Sequence, residues 1–221
     1  MNKQEIISKT ADYVKSKLYG EETGHDWFHV YRVWKNAKHI AEAENVDSYI
    51  VELAALLHDI SDWKFNNGDE KIGSEISRKW LESIGVEDDV IDKVCVILFE
   101  SSFKGEKSEN NIDTIEGKIV QDADRLDALG AIGIARAFAT GSKFGEIMYS
   151  EDIDVPKYNS PEEYKNAKGK KGRTTINHFY EKLLLLKDLM HTNTAKQMAK
   201  EKHEFIELYL ERFMKEWNIK E

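Results

Sequence analysis

The sequence predicts an all-α fold. Three observations carry the prediction: apolar residues recur at a helical period along most of the chain, no segment shows a strand's alternation with confidence, and capping signals sit where periodic segments begin. A chain of 221 residues with 41% hydrophobic and 10% aromatic side chains has ample material for one domain with a sizeable core. Two prolines and 13 glycines exclude collagen-like or linker-dominated chains, and the single Cys95 permits no intrachain disulfide.

Each element follows from its pattern. Residues 3 to 19 put Ile6, Ile7, Thr10, Val14 and Leu18 on one side, with Gly20 as the stop. From Val30 the core stripe runs through Val33, Trp34, Ala37, Ile40 and Ala41. Further helices are expected at about 48 to 59, 70 to 84, 88 to 99, 113 to 124, 127 to 140, 174 to 190 and 195 to 217. The apolar run CVILF, Cys95 to Phe99, could make a strand by itself, but Val90, Ile91, Val94, Ile97 and Leu98 keep helical spacing through it, so it reads as a buried helix end. SPEE places Ser160 at an N-cap with Pro161 at the first helical position and Glu163 at the third, and Thr194 with Gln197 repeats the capping pattern before the last helix. The stretch from Gly141 to Arg173 is the least regular, and its length favours a lid, a binding loop or a partly mobile segment.

Charge narrows the function classes. With 41 acidic against 32 basic residues the formal net charge is -9 and the pI about 5.4, which argues against wrapping a long nucleic acid while leaving small phosphorylated substrates open. The N-terminus lacks the apolar core of a signal peptide, and no window approaches the roughly 18 apolar residues of a membrane span. A cytoplasmic protein with no membrane partner is therefore expected, with homo-oligomerisation left open.

Chemistry concentrates in a few polar residues within apolar helices. His58 and Asp59 follow VELAALL directly, so an imidazole and a carboxylate stand at the inner end of an apolar helix. Burying them is costly unless they are hydrogen-bonded, paired or bound to metal, and a His-Asp brace between helices competes with ligation at this point. His29 lies one turn before Val33, and Asp124 interrupts the apolar pattern of KIVQDADRLDALGAIGIARAF. Together His29, His58, Asp59 and Asp124 would offer two nitrogens and two oxygen donors from three helices. Such a set suits Mn, Mg, Fe, Co, Ni or Zn, and it is not the spacing of a zinc finger.

Four blocks in order, GHDWFHVYRV, AALLHDI, DADRLDALGAIGIARAF and INHFYEKLLLLKDLM, resemble the HD domain of metal-dependent phosphohydrolases, in particular its small bacterial single-domain members. The resemblance spans about residues 20 to 215. It implies a single HD-type domain over 1–221, with a metal-binding core at about 20–140, a loop or lid at about 141–173 and C-terminal helices at 174–217. It also implies one divalent ion, Mn or Mg favoured, on His29, His58, Asp59 and Asp124. The implied reaction is hydrolysis of a small nucleotide, a nucleoside triphosphate giving monophosphate and pyrophosphate. A phosphodiesterase or phosphomonoesterase acting on another metabolite, and a non-catalytic metal-dependent sensor or scaffold, are the alternatives.

Asp62 matches an acidic residue that orients or deprotonates water four positions after the motif histidine in some HD hydrolases, so Asp62 and Asp59 are the expected catalytic carboxylates; a loop or cap role competes for Asp62. Substrate contacts are expected from Arg32, three residues after His29, and from Lys104, Asp127, Asn177 and His178. Asp127 could equally pair with Arg125 or Arg136, and Asp26 could cap the ligand helix, while His25 beside it is another second-layer candidate. No histidine falls between His58 and His178, where similar proteins often carry a His-rich segment, and this favours one metal over two. Lys165, Lys168, Lys170, Lys171 and Arg173 form a basic stretch readable as a solvated loop or as a lid over polyphosphate.

Overall fold

The computed structural model describes residues 1–20, 26–60, 72–101, 112–156 and 173–218. Within them the protein is all-α, with no sheet and a single isolated parallel bridge between Ile147 and Thr174. Two compact units divide between Asp124 and Arg125.

The first unit holds α1 (Lys3–Leu18), α2 (Trp27–Ala43), α3 (Ser48–Leu57), α4 (Ile72–Ser83), α5 (Asp88–Ser101) and most of α6 (Ile115–Asp127). Its axis is α3, where Val51 and every residue from Leu53 to Leu57 are fully buried. Helices α1, α2 and α5 pack around it, and α4 packs on α5. Such a helix, apolar all round, forms only as the centre of a bundle. One carboxylate interrupts it. Glu52 is buried and accepts hydrogen bonds from Trp34 Nε1 at 2.8 Å and Ser48 Oγ at 2.7 Å, with Lys38 Nζ 3.9 Å away. These bonds satisfy a group that would otherwise be costly to bury and fix the register of α2 against α3.

Asp26 caps α2, its Oδ1 accepting the His29 backbone N–H at 2.9 Å. Of the two duties open to Asp26 in the sequence, this one is realised, and it sets the position of a candidate ligand. Cys95 to Phe99 lies wholly within α5, as the periodicity predicts.

In the second unit are α7 (Gly130–Lys143), α8 (Thr175–Glu181), a 3-10 segment (Leu183–Leu189) and α9 (Asn193–Trp217). Three sequence-based boundaries need correction. First, α6 continues past residue 124 to Asp127, and α7 starts three residues later than expected, at Gly130. Gly130 takes φ +70°, a conformation that favours glycine, and a Cβ there would also crowd Lys202 Cγ at 3.1 Å. Second, 174 to 190 is not one helix: it breaks at Lys182, with φ -140° and ψ -57°, and resumes as the 3-10 segment. The four consecutive leucines of LLLLKDL satisfy either helical period, so the sequence hides the break. Third, the last helix begins at Asn193 because buried Thr192, rather than Thr194, accepts the Ala195 N–H at 3.2 Å.

The irregular stretch begins at Phe144, the C-cap of α7, rather than at Gly141, and Gly145 just beyond it takes the left-handed conformation that stops the helix. Its described part is tied to α8: Thr175 and Ile176 donate backbone N–H groups to the carbonyls of Ile147 and Met148, and Asn177 Nδ2 donates to those of Ile153 and Asp154. Ser160, Pro161, Glu163 and the lysines from Lys165 to Lys171 lie outside the described residues.

Candidate metal centre

Three elements of the first unit deliver four side chains to one point. His29 is the third residue of α2, fully buried, its backbone held by Asp26. His58 is the C-cap of α3 and retains αR geometry at φ -60° and ψ -31°, so the apolar helix carries it inward before the chain turns at Asp59. Asp124 extends from the final turn of α6.

The donor atoms converge. His29 Nε2 lies 3.2 Å from His58 Nε2, 3.3 Å from Asp59 Oδ2 and 3.5 Å from Asp124 Oδ1. From His58 Nε2 the distances to the same carboxylate oxygens are 3.6 and 3.8 Å. Two ligands bound at about 2.0–2.2 Å to one first-row ion stand roughly 2.8–3.6 Å apart in tetrahedral or octahedral geometry. The observed separations nearly coincide with that range. The ligand atoms of His29, His58 and Asp59 all lie within 4.8 Å of one another, and Asp124 joins them through its approach to the two histidines.

Hydrogen bonding prepares the histidine for this role. His58 Nδ1 lies 2.8 Å from the Ala55 carbonyl oxygen, and a carbonyl only accepts, so Nδ1 carries the proton and Nε2 turns its lone pair to the cluster. The two rings meet edge-on, with centroids 5.2 Å apart and planes 68° from parallel. Burial is graded across the set. The His29 side chain is 0% exposed and that of Asp124 44%, so the site has a closed floor and an open rim on the Asp124 side. The donor chemistry fits a divalent cation: two imidazole nitrogens offer lone pairs and two carboxylates add negative charge around one point.

A match to the HD domain family covers residues 27–129 and so contains all four residues. Over 196 residues the chain is 39% identical to YpgQ of Bacillus subtilis strain 168, covering 88% of this chain and 85% of YpgQ. The chain belongs to the HD-domain family. Among solved structures, an HD-superfamily hydrolase from Bacillus thuringiensis matches this HD domain with TM-score 0.75 and 44% identity, over 99% of this chain and 100% of the other. The crystal structure of B. subtilis YpgQ in complex with ADP matches with TM-score 0.77 and 35% identity, over 98% and 97% of the two chains.

The remaining site candidates are placed differently. Arg32 is on α2, half-buried, one turn beyond His29. Asp62, Lys104 and His25 lie outside the described residues. Asp127 is buried in the second unit, where Arg136 Nη1 donates to its Oδ2 at 2.9 Å, so the pairing with Arg136 open to it in the sequence is present. Asn177 is buried and spends both amide protons on the carbonyls of Ile153 and Asp154. His178, half-buried beside it, belongs to the second unit. Two contributors have no assignment from the sequence. The Ala55 carbonyl leaves no signal in residue types, whereas Glu52, a lone carboxylate inside VELAALL, announces that a partner must exist without saying which.

Proposed function

We propose that this HD domain is a metal-dependent phosphohydrolase that cleaves a small nucleotide, converting a nucleoside triphosphate to monophosphate and pyrophosphate. One divalent ion, Mn or Mg, would be held by His29, His58, Asp59 and Asp124. The observation that carries this reading is the approach of His29 and His58 to each other at 3.2 Å and of both to Asp59 and Asp124 at 3.3 to 3.8 Å, within one unit of the protein. The likeness to an HD-superfamily hydrolase supports the reaction class, and the ADP bound by YpgQ supports a nucleotide ligand.

A bound divalent ion would supply Lewis acidity at a phosphate oxygen and a more acidic water. The protein's own groups do the rest. His29 and His58 present nitrogens from the closed side, while Asp59 and Asp124 add negative charge and leave access along the exposed Asp124 rim. Arg32, on the helix that carries His29, would bind nonbridging oxygens and hold the α-phosphorus for in-line attack. Asp62, assigned from its place four residues after His58, would take the proton of the attacking water. As the new oxygen-phosphorus bond forms, the bond from the α-phosphorus to the bridging oxygen breaks, and pyrophosphate leaves with the electron pair.

Metal-reconstituted protein should be incubated with a panel of nucleoside triphosphates, cyclic nucleotides and monophosphates, and the products resolved by phosphorus NMR. Monophosphate with pyrophosphate is the expected pair, whereas inorganic phosphate as the sole released product overturns α-phosphorus attack. For Asp62→Asn, metal affinity should stay near wild type while the single-turnover rate falls roughly 10²- to 10⁴-fold. A loss under about threefold would return Asp62 to a capping role, because asparagine accepts the same backbone hydrogen bonds.

A further inference from the structure

Glu52 is the one acidic residue of α3, and its polar contacts join the two helices that carry the histidines. Its Oε1 accepts from Ser48 Oγ at 2.7 Å, one turn back on the same helix, which fixes the carboxylate's direction. Its Oε2 accepts from Trp34 Nε1 on α2 at 2.8 Å, and Lys38 Nζ, one turn beyond Trp34, stands 3.9 Å from the same oxygen. With the Glu52 side chain only 3% exposed, water competes little for these bonds.

Residues 44–47 connect α2 to α3, and the pairs His29–His58 and Trp34–Glu52 advance along the two helices in opposite directions. The helices are therefore antiparallel, with the imidazoles at the open end of the hairpin. From His29 to Ala43, where α2 ends, is about 21 Å at 1.5 Å per residue, so the connection pins the hairpin far from the metal centre. Glu52 pins it nearer: Trp34 is about 7.5 Å along α2 from His29, and Glu52 is about 9 Å along α3 from His58. Burial of Val33, Ala37, Ala54 and Ala55 adds cohesion to these helices, but apolar contacts have no direction and tolerate a small slide. The Trp34 bond does not. A change of about 1 Å in the 3.2 Å between His29 Nε2 and His58 Nε2 would carry it out of the roughly 2.8–3.6 Å spanned by two ligands on one first-row ion.

We infer that Glu52 is a positioning residue of the metal centre: through Trp34 it holds His29 and His58 at the separation that one ion needs. The inference rests on the metal centre of the proposed function, and it concerns ion binding rather than hydrolysis. Glu52 bonds to Ser48, Trp34 and Lys38 and to none of the four donors, so it acts on them only through the two helices.

Cobalt(II) is the probe, since imidazole and carboxylate donors bind it, its visible absorption reports ligand geometry, and no substrate is required. Glu52→Met removes both acceptors at similar size; it should raise the cobalt(II) Kd of the folded protein roughly tenfold, the lower end of what losing a group behind the ligands costs, and shift the visible bands. Glu52→Gln keeps the clamp, because its amide oxygen can accept from Trp34 and its amide nitrogen can donate to Ser48 Oγ, so its Kd should stay within about threefold of wild type with wild-type bands. Trp34→Phe removes the donor and should change affinity and bands in the same direction as Glu52→Met, which keeps the test decisive should the methionine variant fail to fold. A Glu52 that only braces the fold would give variants that melt lower yet, once folded, bind cobalt(II) with wild-type affinity and bands. That result overturns the inference and leaves the metal centre standing, as does a glutamine variant impaired as far as the methionine one. A wild-type chain that binds no cobalt(II) overturns the metal centre itself and this inference with it, so the two failures are told apart by wild type alone.

Discussion

Two clusters of charged and ligating side chains among the described residues differ in how their charges are balanced. In the second unit, Arg173 sits between Glu181, to which its Nη2 donates, and Glu146, whose Oε1 is 3.6 Å from its Nε. Cation and anions come from the chain itself. In the first unit, His29, His58, Asp59 and Asp124 bring their electron-pair donors together in an arrangement capable of holding a divalent cation. A cluster closed by its own counter-charge braces a fold, whereas one that assembles donors of a single kind stores a requirement for a ligand.

The largest test of this contrast is Asp59→Ala. Hydrolysis should fall on the order of 10³-fold or more, the several kcal/mol of charge stabilisation tied to the ion, and calorimetric titration should show weakened metal binding. In chelator the variant should melt no lower than wild type, because removing one of two neighbouring carboxylates relieves repulsion. In saturating metal the order reverses, since only wild type gains full ligand-linked stability, about 2.7 kcal/mol at a hundredfold excess over Kd. Full activity at saturating metal would contradict the assignment.

Glu181→Gln should behave in the opposite way. Removing one carboxylate from the closed cluster leaves Arg173 buried with half its counter-charge and should cost about 3 kcal/mol, with or without metal. Metal affinity of the folded protein should not change. If chelator abolished the difference between this variant and wild type, the two clusters would not be of different kinds.

The two clusters were also unequally legible in sequence. His58 and Asp59 declare themselves because they end an apolar helix, and His29 and Asp124 because they interrupt apolar periodicity. The closed cluster gave no such sign. Arg173 stands in a run of lysines, Glu146 in an irregular stretch and Glu181 in INHFYEKLLLL, so nothing short of the fold shows that they meet. The same limit explains the misplaced helix ends. Thr194 has Gln197 three residues on, a capping-box signal that Thr192 lacks, so the sequence favours Thr194, and only the hydrogen bond from Ala195 to Thr192 decides otherwise.

A smaller effect is expected at Asp26, which touches the open cluster only through the backbone of His29. Asp26→Ala should cost about 1 kcal/mol as a lost helix cap and also weaken metal binding, because His29 loses its anchor. Asp26→Asn keeps the cap and should restore both. Loss of stability in the alanine variant with unchanged metal affinity would show that the cap supports α2 without positioning the ligand.

The smallest effect belongs to a pair that is closed but exposed. Lys3 Nζ lies 3.0 Å from Asp47 Oδ2, and that bond, followed by the Tyr49 N–H on the same carboxylate, holds the Asp47 carboxyl below its ordinary pKa. A carboxylate with a depressed folded pKa contributes stability that is complete above its unfolded value near 4 and is lost as pH falls through the lower folded value. Solvent screens the pair, so its charge contribution should stay under about 1 kcal/mol. Asp47→Asn, which preserves an acceptor for the Tyr49 N–H, should therefore lower stability only slightly at neutral pH, and the difference from wild type should shrink in acid; Asp47→Ala should cost about 1 kcal/mol at both, because the N-cap of α3 goes with it. Urea titrations of the three proteins at pH 7 and pH 3 would measure this directly. An asparagine variant as damaging as Glu181→Gln would mean that exposure does not separate a decorative ion pair from a bracing one, and the distinction between the clusters would have to rest on the sign of their charges alone.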